Sequence, residues 1–371
     1  MRNQLRVLAS AAVVAVILAP GTTASAAPAD QTPTVLASGL VGPLHVNADR
    51  DGSVIVSEEF AGRLTRVLAD GTKSTVYSSP DWDVAGSADR RSTLYFLESQ
   101  GAGPMDDRAL AGHIRAISDD GTQWTFGDFA ALETEENADG DVRYGFRDLP
   151  DACAAQLPAG LPPASYTGDV DSHPYSIAVS GRTAYVADAG ANSVVSVDVR
   201  TGDTETVAVL PPQPYSITAE AAAAVQLPAC VVGEMYDFEP VPTDVAVGPD
   251  GWLYVTTLPG GPEDPRLGAR GAVYKVNPDN GRVRLFADEV LSPTGVALDD
   301  DGDVYVASLF GDGVLKVGDS GRQRVVLAGK LTADVALSDA RIYATVDALP
   351  AENQAPDGKL VYVERGGHSH R

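Results

Sequence analysis

The chain has 371 residues, 44% of them hydrophobic, with 37 glycines, 25 prolines and a formal charge of −24. A surface this acidic repels nucleic acid and anionic membranes and favours solubility and cation binding. Glycine and proline are scattered without a collagen period, which suits short strands joined by turns.

In chain order, residues 1–26 read as a secretion signal. Arg2 and Arg6 precede an apolar run, Val7 to Ala19, that is short for a membrane span. Pro20-Gly21 breaks the run, and Ala24-Ser25-Ala26 fits the small-x-small cleavage pattern. The mature chain is expected to start at Ala27, with residues 27–371 forming one domain and the charge reaching −26 without the two arginines. No later run is long and apolar enough to span a bilayer, so the expected address is extracellular.

A four-strand unit then recurs. Its clearest copy runs from Ser172 to Leu210, where short Val-, Ile- and Tyr-rich runs alternate with turn residues. The second strand of each unit is the ruler: Val54-Ile55-Val56, Leu94-Tyr95-Phe96, Ala184-Tyr185-Val186, Leu253-Tyr254-Val255, Val304-Tyr305-Val306 and Ile342-Tyr343-Ala344. Turns at Asp51-Gly52, Ser180-Gly181, Asp250-Gly251 and Asp301-Gly302 precede four of them. The sixth unit lacks a fourth strand, and Thr34 to Ala37 can supply it from the N-terminal side. Ring closure removes exposed sheet edges. The expected fold is all-β: a six-bladed β-propeller whose N-terminal strand closes the last blade.

Two long insertions, about 133–171 and 211–240, flank the third blade, and a smaller one runs from Pro259 to Ala269. The long ones carry short helical candidates, Asp151 to Gln156 and Ala219 to Gln226, and one cysteine each. The pair Cys153 and Cys230 in a secreted chain invites a disulfide stapling the insertions over one face; the alternative is two buried thiols.

On that face the loops entering the first strands and leaving the second strands should meet. Glu58, Glu98 and Asp188 follow three ruler strands, and His45, Asp169, Asp171, His173, Asp244 and Asp334 lie near the strand entries. Their convergence suits a hard cation such as Ca²⁺, with Glu58, Glu98 and Asp188 as its ligands. His173, beside two aspartates, is a candidate general base or an orienting residue of the insertion. Asp188 and Asn192 bracket Ala189-Gly190-Ala191, as ligand contacts or as an Asx-type turn. Tyr144, Tyr175 and Tyr215 are candidates for an aromatic wall beside the mouth. Gly-x-Ser-x-Gly, His-Glu-x-x-His, phosphate-loop and dinucleotide motifs are absent from the sequence.

Pro174-Tyr175-Ser176-Ile177-Ala178-Val179, Ala184-Tyr185-Val186-Ala187-Asp188 and Asn192-Ser193-Val194 resemble the NHL-type propeller repeat. The stretch from Thr34 to Glu364 resembles the ScyD/ScyE family of secreted bacterial propellers, most specifically at Gly168-Asp169-Val170-Asp171-Ser172-His173-Pro174-Tyr175, Asp188-Ala189-Gly190-Ala191-Asn192 and Thr257-Leu258-Pro259-Gly260-Gly261. A weaker resemblance reaches six-bladed lactonases and strictosidine-synthase-like proteins. It implies a divalent cation in the channel, with Glu58, Glu98 and Asp188 matching in role; the scarcity of amides, Asn47 and Asn192, counts against a lactonase. The expected function is a monomeric, secreted, non-enzymatic module for a small polar or cationic molecule, a glycan or an extracellular protein. The alternative is a metal-dependent hydrolase or lyase in which Ca²⁺ polarises a carbonyl and His173 is the base.

Overall fold

The computed structural model describes residues 32–49, 52–103, 106–262, 267–351 and 354–365. The proposed signal segment lies outside them, as does part of the small insertion at 259–269. The described chain is mostly β, in seven four-stranded antiparallel sheets. Six of these follow the recurring unit. From the axis outward, blade 1 runs through Pro43–Ala48, Val54–Glu58, Arg63–Val67 and Lys73–Ser78. The inner strands of the next four blades are Asp83–Arg90, Pro174–Ser180, Pro242–Val247 and Pro293–Leu298. The last blade runs Asp334–Leu337, Arg341–Val346, Gly358–Glu364 and then Thr34–Leu40, whose Thr34 pairs with Tyr362 and Val35 with Val361.

Packing closes the ring. Six apolar clusters each join two neighbouring blades, and the series returns to its start: Ile55 and Leu64 meet Phe96, while Val54 and Val56 meet Tyr343 and Leu360 of the last blade. This explains the continuous apolar ruler. A second strand is covered on both faces, so alternation with polar residues is lost and Val54, Ile55 and Val56 are all fully buried. The Asp250-Gly251 and Asp301-Gly302 turns lie in five-residue loops, since Val247 pairs with Leu253 and Leu298 with Val304. Gly251 sits at φ 79° within the first of them, a conformation open to glycine at little cost.

The seventh sheet was not anticipated. It lies in the order Ser165–Thr167, Arg143–Phe146, Met235–Phe238, Gln213–Ser216, so each long insertion supplies two strands. The expected helices are present but shorter, Asp151–Ala154 and Ala219–Ala224, and a third, Phe129–Glu136, opens the first insertion. Cys153 and Cys230 are disulfide-bonded with Cα atoms 5.8 Å apart, beneath Phe146, Ile217 and Val231. This cap stands on the face where the inner strands begin. The opposite face carries the turns between first and second strands. No helix among the described residues is long and apolar enough to cross a membrane.

Candidate functional site

The channel is lined by inner strands. Register aligns one residue of each at a common level: His45, Gly86, Ser176, Asp244, Gly295 and Asp334. Asp244 accepts hydrogen bonds from the Ser176 hydroxyl, from the Val245 N–H at 2.8 Å and from the Val296 N–H of the next blade at 2.6 Å. Asp334 accepts from the Val335 N–H and from the Val46 N–H of blade 1, both at 2.7 Å. Each aspartate therefore ties its own inner strand to the following one. Burial pushes both carboxyls up, Asp244 to about 6 and Asp334 well above the usual carboxylate range, the charge of Asp244 adding to the effect on Asp334.

Toward the turn face the channel is a cavity of about 330 Å³. His45, Ser176, Asp244 and Asp334 form its deep end; Val245, Val296, Val335, Ala178, Ala246, Ala297 and Ala336 contribute to its walls. Ala48, Asp89, Val179, Val247, Leu298 and Leu337, all half-buried, form its rim.

Toward the cap the axis is filled. The Tyr175 ring lies edge-on to His45 at 4.5 Å between centroids and to His173 at 5.5 Å, and all three are buried. His45 Nε2 stands 3.9 Å from Glu59 Oε2, and its Nδ1 3.9 Å from Asp334 Oδ2, both beyond hydrogen-bond reach. The Nε2 atoms of His45 and His173 and both carboxyl oxygens of Glu59 are buried with no hydrogen-bond partner. Burial, then the neighbouring His173, pushes His45 down to about 3, so its ring is neutral at pH 7. Burial, reinforced by Asp83, pushes Glu59 well above the usual carboxylate range. A general base must reach substrate; here His173 is packed inside the plug, with its backbone N–H donating to Asp188 at 2.6 Å.

The remaining expected residues separate into structural groups. Asp188 is saturated: its Oδ1 accepts from the N–H groups of His173, Gly190 and Ala191, and its Oδ2 from the Ser172 hydroxyl at 2.6 Å. This is the Asx-type arrangement. Asn192, at φ 51°, donates to Asp139 of the first insertion at 2.9 Å and to Glu239 of the second at 3.4 Å. Tyr144 and Tyr166 hydroxyls donate to the same two carboxyls at 2.9 and 2.8 Å. Asn192 thus binds both insertions to blade 3. Asp171 accepts from the Gly103 N–H, and Asp169 is exposed. Tyr215 lies in the seventh sheet under Arg270, away from Tyr175.

The three expected cation ligands do not come together. Glu58 accepts from Arg63 Nε and Nη2, the Thr65 hydroxyl and the Val41 N–H. Glu98 takes the Tyr77 hydroxyl at 2.7 Å and lies 3.0 Å from His113 Nε2. The physical reason is strand geometry: second-strand side chains alternate between the two faces of a blade and enter the crevices between blades, whereas the axis belongs to the inner strands. Among the described residues no three His, Cys, Asp or Glu side chains group as a metal site would need. Glu58, Glu98 and Asp188 therefore do not fit Ca²⁺.

Sequence reasoning missed Glu59, Asp139 and Glu239. The alternations Tyr144-Gly145-Phe146 and Tyr236-Asp237-Phe238 are the signal that would have revealed the seventh sheet, and with it the last two acids.

With this geometry in hand, comparison with solved structures finds β-propellers. The fold is similar to a PQQ-bound aldose sugar dehydrogenase from Streptomyces coelicolor, with TM-score 0.54 and 14% identity over 91% of this chain and 99% of that one. It is also similar to a gluconolactonase from Xanthomonas campestris, with TM-score 0.52 and 12% identity over 89% and 88%. A structural-genomics protein from Bacteroides thetaiotaomicron gives TM-score 0.52 and 11% identity over 86% and 69%. Identities of this size carry the fold alone. No protein-family model and no curated protein matches the chain.

Proposed function

We propose that this chain is a secreted, non-enzymatic propeller that holds a small ligand in the turn-face half of its channel. The observation that carries the reading is the plug: Tyr175 between His45 and His173 closes the axis below the cap and leaves a cavity reached from the opposite face. Its volume, and the convergence of His45, Ser176, Asp244 and Asp334 at its deep end, are those of a small-molecule pocket. The buried histidines offer no exposed base, and the sequence-based cation ligands are held within their own surroundings. Secretion through the segment ending at Ala26 belongs to the same proposal and agrees with a disulfide, which persists in oxidising compartments. So does membership of the ScyD/ScyE family, supported by the Gly168-to-Tyr175 motif, whose Asp171, Ser172, His173 and Tyr175 link the cap to the plug.

The test has two arms. A thermal-shift screen of small molecules should yield stabilising ligands that Ala297→Phe, which narrows the cavity, no longer binds. A panel of lactones and esters should show no turnover. Turnover lost in His173→Ala would replace this reading with the hydrolase or lyase alternative.

A further inference from the structure

The two halves of the disulfide stand in different surroundings. Cys153 lies in the short helix Asp151–Ala154, is 4% exposed and packs with Phe146, Ile217, Ala222 and Val231. Cys230 is exposed. It sits in the single 3-10 turn Ala229–Val231, directly after Pro228, and of residues 229–233 only Val231 is buried. That valine anchors the turn to the apolar cluster and leaves the cysteine before it in solvent.

The difference decides which sulfur a thiol can reach. A thiolate breaks a disulfide by attacking one sulfur while the other leaves, so access selects the sulfur attacked. At Cys153 the approach is blocked by the apolar cluster; at Cys230 it is open. A sulfur released at Cys153 then lies among apolar side chains, which disfavour a charged thiolate, and a neutral thiol does not attack in return.

The bond also spans the seam of the cap. Each insertion pairs its own strands, Arg143–Phe146 with Ser165–Thr167 and Met235–Phe238 with Gln213–Ser216. Between the insertions the ladder pairs at two positions, Gly145 with Asp237 and Phe146 with Tyr236. Arg147 on Asp237 and the Tyr166 hydroxyl on Glu239 reinforce it. Cys153–Cys230 is the covalent tie across this short seam.

We propose that Cys230 is a thiolation site through which small thiols act on the cap. The incoming thiolate bonds to Cys230 Sγ, the Cys153–Cys230 bond breaks, and its electron pair leaves on Cys153 Sγ, which takes a proton from water. One disulfide and one thiol are consumed and one of each is formed: a mixed disulfide on Cys230 and a thiol on Cys153. A second thiol removes the adduct as a disulfide and leaves Cys230 reduced. The insertions are then joined by the noncovalent seam alone, so the state of the cap follows the thiol content of its surroundings.

The test exposes the intact chain at pH 8 to graded reduced glutathione, quenches with iodoacetamide and maps both cysteines by peptide mass spectrometry. Glutathione on Cys230 with carbamidomethyl on Cys153 should outnumber the reverse pattern by about tenfold or more, as selection by access requires. In concentrated urea the two patterns should become equal. Adducts shared equally in the folded chain, adducts chiefly on Cys153, or a bias that persists in urea would each overturn the assignment. So would a bond that survives glutathione at concentrations that reduce the urea-unfolded chain. Cys153→Ser and Cys230→Ser supply a second reading, since both lose the bond: the thiol left at 230 should alkylate about tenfold faster or more than the thiol left at 153, and equal rates would overturn the proposal. The mapping on the unaltered chain decides the matter even where a variant does not fold.

Discussion

Asp334, in the inner strand of the last blade, accepts a hydrogen bond at 2.7 Å from the N–H of Val46, in the inner strand of the first, 288 residues away. Together with the outer pairing of Thr34–Leu40 on Gly358–Glu364, it closes the ring at both radii. Replacing Asp334 by Ala leaves the Val46 and Val335 N–H groups buried without these partners. The expected loss is about 2–3 kcal/mol, at roughly 1 kcal/mol or more for each orphaned donor. The midpoint of urea unfolding reads it, and Asp334→Asn, which keeps an acceptor oxygen, should lose less.

Gly295→Ala tests the crowding beside that carboxyl. Residue 295 is not in a left-handed conformation, so any penalty is steric: the new methyl would overlap Asp334 Oδ1. About 1–3 kcal/mol is expected, as for overpacking generally. Gly318→Ala is the control, because the nearest atoms to a methyl there are 3.8 Å away. Equal unfolding midpoints for the two variants would refute the overlap.

Stability should fall as pH rises from mildly acidic to neutral. Burial, then the charges of Asp188 and Asp139, raises Glu133 from 4.5 to about 7. Burial likewise raises Asp244 from 3.8 to about 6. A carboxyl whose folded-state value is raised stabilises the fold fully below its unfolded value, and that contribution disappears as pH climbs through the folded value. The window is therefore about 4 to 7, with each group worth at most about 3 kcal/mol. The formal charge of −24 acts in the same direction. At lower pH the trend reverses, since groups such as Asp106, held well below its usual range by the Arg108 guanidinium, become protonated. Thermal midpoints from pH 3 to 8 should peak near pH 4–5, and Glu133→Gln should flatten the neutral limb. A midpoint that climbs steadily from pH 4 to 7 would contradict this assignment.

The disulfide closes a sequence separation of 77 residues. Chain-entropy reasoning puts its contribution at about 4 kcal/mol. Because both cysteines lie in the cap, reduction should loosen the seventh sheet before the ring. Hydrogen exchange should rise first at Tyr144, Phe146, Tyr236 and Phe238, with the inner strands still protected. Simultaneous exposure of the cap and of Val54 to Val56 would show that the cap has no independence.

Much of the fold could be read from the repeat because buried ruler strands and Asp-Gly loops are local signals. Thr34 to Ala37 was recognisable through its absence elsewhere: the last unit lacked a strand and the N-terminal side had one to spare. The seventh sheet was hidden because its pairs join segments far apart, such as Gly145 with Asp237, and each strand is only three or four residues long. For the site, the inner-strand residues His45, Tyr175, Asp244 and Asp334 were placed near the axis by the repeat itself. Glu58 and Glu98 were misplaced because matching positions in successive units share a height along the axis without sharing a direction. The plug was invisible for a related reason. Nothing local to Tyr175 says that its ring will stand between imidazoles from blade 1 and from the approach to blade 3.

Half of the cap's hydrogen-bonded ladder comes from each excursion, with Arg143–Phe146 and Met235–Phe238 side by side in the middle. Cutting out either excursion alone would strand the other's central strand with a bare edge and an unmatched cysteine. The two are therefore one detachable part written in two places, and an engineer who wants a plain ring must delete both at once.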